Sequence, residues 1–276
     1  MKELFGWTQH KKLIIITVLL AFFSSSCIKQ CDALDRLTEG YDARSAMRST
    51  VKIHSVLIGK RKNIISLSDK QPDGTEIKME WTGSGVVVKN DDVRKQSLIL
   101  SVYHVTHSEP SILSMDQDGI FLIDMIKMEL KVETLDGTIC EAGSMAGNFK
   151  QDLSVIRSLC IAGEATSLAD ELPPVGASVM VSGAALGVHP KGIFIVTDGR
   201  FMGIDEASGE EIITLPSAPG HSGSGIFYKG KIIGLLSKRT VDYEHISLCV
   251  SLENAKTILE LAERIWLLET INLPNK

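Results

Sequence analysis

Three short segments carry side chains that can perform acyl transfer together. Gly220-His221-Ser222-Gly223-Ser224-Gly225 sets a serine among glycines. A serine hydroxyl is a weak nucleophile, so it needs a neighbouring base to take its proton and donors aimed at the oxyanion that forms. Glycines on both sides let the backbone turn sharply, so that the amides of Gly220 and Ser222 point into one spot as an oxyanion hole. Ser97 to Val102 is a hydrophobic run leading through Tyr103 into His104, a base of the right kind, and Asp152 heads the run Leu153 to Ile156. In such a set Ser222 attacks a carbonyl carbon, His104 moves the proton, and Asp152 fixes the imidazole tautomer. Taken singly, each residue has a plainer reading: a core histidine, a turn acid, a turn serine. All three plain readings must hold together for the catalytic one to fail.

The chain order is His104, Asp152, Ser222. An α/β-hydrolase needs serine first, and after Ser222 only His245 follows, with Asp242 just before it and no alternating helices around them. His104 and His107 make an H-x-x-H without the glutamate of a zinc-protease helix, so no metal is expected, and no cofactor.

The elements that must position these residues read as strands. From Val51 onward, short apolar or alternating runs are separated by chain-reversing residues. Among the runs are Val51 to Ile58, Gly85 to Val88, Ile126 to Thr134, Ala177 to Val181, Ile193 to Val196, Ile212 to Leu215, Ile232 to Leu236 and Ile246 to Val250. Pro72-Asp73-Gly74, Asp136-Gly137, Asp198-Gly199 and Lys229-Gly230 are among the punctuation. Many short strands at this spacing predict an all-β barrel or sandwich. The last segment differs: Ser251 caps a helix in which Ala255, Ile258, Leu259, Ala262, Ile265 and Trp266 share one apolar face, which docks on the barrel.

Gly83-Ser84-Gly85-Val86-Val87, Ser101-Val102-Tyr103-His104-Val105, Asp152-Leu153-Ser154-Val155-Ile156 and Gly220-His221-Ser222-Gly223-Ser224-Gly225 together resemble the successive motifs of trypsin-like serine peptidases, closest in style to the protease domain of Deg/HtrA-type bacterial proteases. The resemblance spans roughly residues 51 to 251. It implies an all-β fold of two six-stranded antiparallel Greek-key barrels, to which the chain adds its C-terminal helix; with residues 252–276 holding only that helix and a tail, the chain is expected to depart from Deg/HtrA proteases in having no PDZ module. It also implies Ser237 beside the triad acid, and the backbone from Ser237 through Lys238 to Arg239 alongside an extended polypeptide substrate. Pro216 and Ser217 fall at the base of the primary pocket. Lys238 and Arg239 stand where many relatives have an aromatic residue and glycine, forming either a basic wall or solvent-facing side chains, the latter favoured. His221 stands where digestive-type relatives have an aspartate that pairs with a freed amino terminus. A histidine cannot make that pair, so other contacts must order the oxyanion loop.

Residues 1–26 read as an address. Lys2, Lys11 and Lys12 precede the apolar run Leu13 to Phe23, interrupted only by Thr17. Eleven residues are too few for a bilayer span of about 20 but fit the apolar part of a secretory signal, roughly 7 to 15. Ser24-Ser25-Ser26-Cys27 then resembles a bacterial lipoprotein signal, with serine where leucine is usual. Lipidation of Cys27 and an ordinary signal or retained anchor both stand open, and either places the chain in the cell envelope, with the membrane as a partner. Residues 27–50 are polar and mixed in charge, a short helix or tether that holds a domain over 51–251 off the membrane.

Composition agrees with an exported globular domain. The 276 residues are 44% apolar and 23% charged, enough to bury a core, and a net charge of -5 lacks the basic footprint of nucleic-acid binding. The five cysteines, none in a C-x-x-C pair, are too scattered for a staple framework. The leading reading is an exported serine endopeptidase. The alternatives are an inactive envelope protein on the same fold that binds peptides or a partner, and a structural lipoprotein whose terminal helix docks a partner.

Overall fold

The computed structural model describes residues 43–66, 72–116, 119–185, 194–240 and 245–271. The leader 1–26, Cys27 and most of the expected tether lie outside the described residues.

Two closed barrels carry the chain. In the first, β1 (Thr50–Ser66), β2 (Glu76–Asp91), β3 (Gln96–Ser101), β7 (Leu153–Ser158), β6 (Ile139–Asn148) and β5 (Gly119–Glu133) pair antiparallel in that order, and β1 pairs with β5 to close the ring. A further strand, β4 (Ser111–Asp116), pairs with β5 outside the ring. The second barrel closes in the order β10 (Glu211–Thr214), β13 (Ile246–Val250), β12 (Lys231–Arg239), β11 (Gly225–Tyr228), β8 (Ser178–Gly183) and β9 (Ile195–Ile204). The expected double-barrel fold is the observed one. Closure removes the open edges that a sheet of this composition would otherwise expose.

The central strands are buried on both faces, so consecutive residues enter the core from opposite sides of the sheet. Ile53, Val86, Ile99, Leu100, Val132, Val155 and Ile156 pack the first barrel, and this cluster continues into Met180, Phe227, Ile232 and Leu235 of the second. The barrels therefore share apolar contact. Val179, Val181, Ile213, Ile226, Ile233 and Leu236 fill the second.

A short helix, α1 (Ala43–Ser49), lies at the end of the segment expected to be a short helix or tether. Ala46 is fully buried in the first core, and the carbonyl of Arg48 accepts the Glu164 amide at 2.9 Å. The helix thus packs against the first barrel through Ala46. The terminal helix, here α3 (Leu252–Ile271), is where the sequence predicts it. Ser251 Oγ accepts the Asn254 amide at 3.3 Å as its cap, and Ile258, Ala262 and Trp266 enter the first core while Leu252 enters the second. No helix among the described residues is long and apolar enough to cross a membrane.

Asp198-Gly199 is not a turn but lies inside β9. A Cβ on Gly199 would fall 2.5 Å from the Thr214 carbonyl oxygen and 2.9 Å from Leu215 Cβ, so this glycine serves close approach of neighbouring strands rather than reversal. Cys140 and Cys160, whose relation the sequence leaves open, form a disulfide that ties the start of β6 to the loop after β7. Cys249 is a buried free thiol.

Candidate active site

His104 sits on α2 (Tyr103–Thr106), a single turn that follows directly on the buried strand β3. Two contacts hold the segment behind it: Ser55 Oγ donates to the Val105 carbonyl at 2.5 Å and Trp81 Nε1 donates to the same oxygen at 2.9 Å. Asp152 occupies the turn before β7 in the left-handed region, φ +51°. Aspartate tolerates that conformation better than most residues, and such backbone clusters at functional sites.

The two side chains meet squarely. His104 Nδ1 lies 2.8 Å from Asp152 Oδ2 and 3.0 Å from Oδ1, and the His104 amide donates to Oδ1 at 3.0 Å. Ser237 Oγ adds a donor to Oδ2 at 2.5 Å. Burial opposes the charged carboxylate, but the bonds from His104 and Ser237 and the histidine's charge outweigh it and hold the Asp152 carboxyl below its ordinary range. The His104 side chain stays 47% exposed against 17% for Asp152, so the acid is sheltered and the imidazole open to an incoming group. Helix α3 steadies the turn through Gln151, whose Nε2 donates to Asn254 Oδ1 at 2.8 Å.

Ser222 lies between β10 and β11. Its hydroxyl donates to the Ser237 carbonyl at 3.4 Å, and among the described residues no hydrogen bond joins it to His104. Such bonds are commonly long before substrate arrives. The loop before it turns at Ala218-Pro219-Gly220-His221, where the His221 amide donates to the Ala218 carbonyl at 3.0 Å and Gly220 has φ +92°. Proline second and a positive-φ glycine third are the signature of a type II turn. The amides of Gly220 and Ser222 are left without a partner among the described residues, which is the condition for two donors converging on an oxyanion.

The contacts that order this loop in place of an aspartate pair are now visible. Ser84 Oγ donates to the Gly220 carbonyl at 2.7 Å and accepts the Ala184 amide at 2.9 Å, while the Ser84 amide donates to the Ser222 carbonyl at 2.8 Å. His221 is itself buried, and its Nδ1 accepts the Ala218 amide at 3.3 Å. Sequence reasoning noticed Ser84 only as part of Gly83-Ser84-Gly85 and gave it no role. Its signal was the pair of flanking glycines: a Cβ on Gly83 would press on Val105 at 2.5 Å and on the Ser222 carbonyl oxygen at 3.1 Å.

The remaining expected substrate residues are spread along the cleft. Ser237 is buried at a bulge of β12 against β13, and Lys238 and Arg239 follow it, both exposed. Lys238 Nζ pairs with Glu210 Oε1 at 3.0 Å, so the basic wall is partly neutralised by its own barrel. Ser217 is half-buried in the segment after β10. A cavity of about 650 Å³ opens beside His104 and Asp152, with Trp81, Tyr103, Phe149 and Lys238 in its lining. Among the described residues no group of His, Cys, Asp or Glu is placed to hold a metal ion.

Solved structures share this fold. The HtrA-type protease AlgW, solved as a serine-to-alanine variant with a decapeptide, superposes with a TM-score of 0.58 at 18% identity, covering 79% of this chain and 65% of that one. The Rv3671c protease of M. tuberculosis in its active form gives 0.55 at 16% identity, covering 79% and 82%. The serine endoprotease of Yersinia pestis gives 0.53 at 18% identity, covering 80% and 65%. The chain thus spans just under two thirds of the Yersinia and AlgW chains, and at these identities the likeness is one of fold. No curated protein matches the sequence. A family model described as the trypsin-like peptidase domain matches residues 83–235, more than half of the sequence and the stretch that holds His104, Asp152 and Ser222, so the chain belongs to the trypsin-like peptidase domain family.

Proposed function

We propose that the protein is an exported serine endopeptidase that cuts polypeptides through an acyl-enzyme. The observation that carries this reading is the two-pronged hydrogen bonding of His104 to Asp152 on one barrel, facing a Ser222 loop on the other whose Gly220 and Ser222 amides have no other partner among the described residues.

The chemistry follows from the roles these groups can take. Ser222 Oγ attacks the carbonyl carbon of the scissile bond as His104 Nε2 takes its proton, and the carbonyl oxygen becomes an oxyanion facing the two amides. Asp152 keeps the other ring proton on Nδ1 and favours the imidazolium. His104 then gives its proton to the leaving amine, the C–N bond breaks, and an ester on Ser222 remains. Water, deprotonated by His104, attacks that ester; the proton returns to Ser222 and a carboxylic acid departs. An extended substrate pairs with the backbone of Ser237, Lys238 and Arg239, which gives affinity with little demand on sequence. A protease of the same fold has been solved with a decapeptide.

Export rests on the leader together with the Cys140–Cys160 disulfide, since such bonds persist in oxidising compartments such as the periplasm. Either a lipid on Cys27 or the retained apolar segment then tethers the domain to the envelope membrane. Radioactive palmitate incorporated by wild type and not by Cys27→Ala assigns the lipid; without incorporation, the mass of the exported chain separates a retained segment from a leader cut off by signal peptidase. The activity itself is tested on an unfolded protein substrate. New amino termini should appear with wild type and not with His104→Ala or Asp152→Asn, and equal cleavage by all three contradicts the reading.

A further inference from the structure

The first barrel carries one strand that its closure does not use. β4 pairs with β5 alone, and among the described residues its other edge meets no strand. An unpaired row of N–H and C=O groups templates another chain, so proteins blunt edges with lysine, proline, a bulge or a covering element. β4 reads Ser-Ile-Leu-Ser-Met-Asp, with neither lysine nor proline, and its register from Ser111 opposite Asp124 to Asp116 opposite Gly119 runs without a bulge. Two of its large side chains face solvent, Leu113 at 65% and Met115 at 75% exposure.

The strand is nevertheless held firmly. Arg61, 2% exposed, donates from Nη1 to Asp116 Oδ2 at 2.7 Å and lies 3.7 Å above the Phe121 ring. At the other end Ser111 Oγ donates to Asp124 Oδ1 at 2.7 Å and the Met125 amide donates to the Pro110 carbonyl at 2.9 Å. Ile112 packs on a small separate core of Leu57, Phe121 and Ile123. A buried guanidinium is costly unless paired, and here its pairing fixes the end of a strand that the ring does without.

Position identifies the occupant. Ile112 and Leu113 line the same cavity as His104 and Asp152, so the start of β4 borders the space beside the candidate base and acid. We propose that β4 is an accessory substrate strand: an extended, apolar-rich segment of an unfolded polypeptide adds to its free edge through backbone hydrogen bonds while the adjoining segment crosses His104 and Ser222. The inference rests on the peptidase reading and gives it a substrate class, unfolded chains long enough to span both places. Backbone pairing tolerates many sequences, while Leu113 and Met115 favour apolar side chains at alternate positions. Native proteins bury most such segments and hydrogen-bond their backbone, whereas an unfolded chain presents both.

The test uses the full chain carrying Ser222→Ala, which cannot cut its ligand, mixed with reduced, carboxymethylated α-lactalbumin as a soluble unfolded polypeptide. Amide hydrogen exchange is read by mass spectrometry, and affinity is measured again after adding Leu113→Lys and Met115→Lys, two exposed positions. The expected result is slowed exchange over residues 111–116 and about tenfold weaker binding of the lysine variant. The exchange result stands whether or not the lysine variant folds well. Unchanged exchange at 111–116, or equal affinity of a folded lysine variant, overturns the proposal. Protection of this edge without added polypeptide, growing with protein concentration, assigns it to a second copy of the chain and overturns it too. The two readings separate cleanly. Cleavage of short reporter peptides by wild type with β4 unprotected keeps the peptidase and removes the accessory strand; protection of β4 without any cleavage by wild type does the reverse.

Discussion

Ser237 donates its hydroxyl to Asp152 Oδ2 at 2.5 Å, so that a residue of the second barrel fixes the acid of the first. The β12 bulge between Leu236 and Lys238 places Ser237 there, and its carbonyl takes the Ser222 hydroxyl. A hydrogen bond to a charged group is worth about 1.5–3 kcal/mol. Ser237→Ala should therefore lower kcat on a reporter peptide by about tenfold or more, with KM little changed and partial recovery in Ser237→Thr. The same loss should show in acid stability. Because the Asp152 carboxyl is held low in the folded protein, the stability it contributes is present above its unfolded value and lost as pH falls through the lowered one. Ser237→Ala should accordingly unfold at a higher pH on acid titration, and an unchanged acid midpoint would count against this bond.

Gly223 is the position where the nucleophile loop tolerates least. It has φ +87°, and a Cβ there would fall 2.1 Å from the Ser84 carbonyl oxygen and 2.5 Å from Ser101 Oγ. Gly223→Ala adds backbone strain of about 1–2 kcal/mol to that collision and should displace Ser84, the residue that holds Gly220. The expected outcome is a lower melting temperature together with loss of reporter hydrolysis. A variant that melts as wild type and hydrolyses normally contradicts the clamp described for Ser84.

Glu211 is a buried acid in the second barrel whose Oε1 accepts the Leu252 amide at 2.7 Å while Oε2 has no hydrogen-bond partner among the described residues. Burial pushes its carboxyl up to about 8. The folded protein thus holds a proton that the unfolded chain releases near pH 4.5, the group's ordinary value. The stability Glu211 contributes should be full below that point and decline as pH rises toward about 8. Glu211→Gln keeps the acceptor for Leu252 and has no charge to bury, so its melting temperature should fall less between these limits. Parallel melting curves for the two proteins across that range would refute the assignment.

The Cys140–Cys160 disulfide closes a loop with a sequence separation of 20, which in the chain-entropy account stabilises by about 3 kcal/mol. Replacing both cysteines by serine should lower the urea midpoint accordingly, and reductant should shift wild type and leave the double variant unmoved. Alkylation of both thiols in protein purified without reductant would contradict the bond and weaken the case for an oxidising compartment.

His104, Asp152 and Ser222 were legible in the sequence because each sits where an apolar run ends or begins, and strand ends are readable from period and punctuation. The terminal helix was legible for a similar reason, a capping Ser251 followed by one apolar face. β6 was not, since Ile139 to Asn148 is rich in Ala, Gly and Ser and shows no alternation of its own. β4 was missed because six residues following Glu109-Pro110 resemble a loop until β5 supplies their partners. Ser84, Glu211 and the disulfide depend on which strands meet across the molecule, which no local pattern encodes. Asp198-Gly199 misled for the converse reason: glycine marks close approach as readily as reversal.

The central claim is that Ser222 is a nucleophile activated by His104 and Asp152. A fluorophosphonate probe reacts with such a serine and spares an ordinary hydroxyl. Folded wild-type protein should take up one probe, mapped by peptide mass spectrometry to Ser222, while Ser222→Ala takes up none and His104→Ala reacts far more slowly. Folded, disulfide-bonded wild type that remains unlabelled, and that handles peptides as Ser222→Ala does, would contradict the account and leave a peptide-binding protein on a peptidase fold.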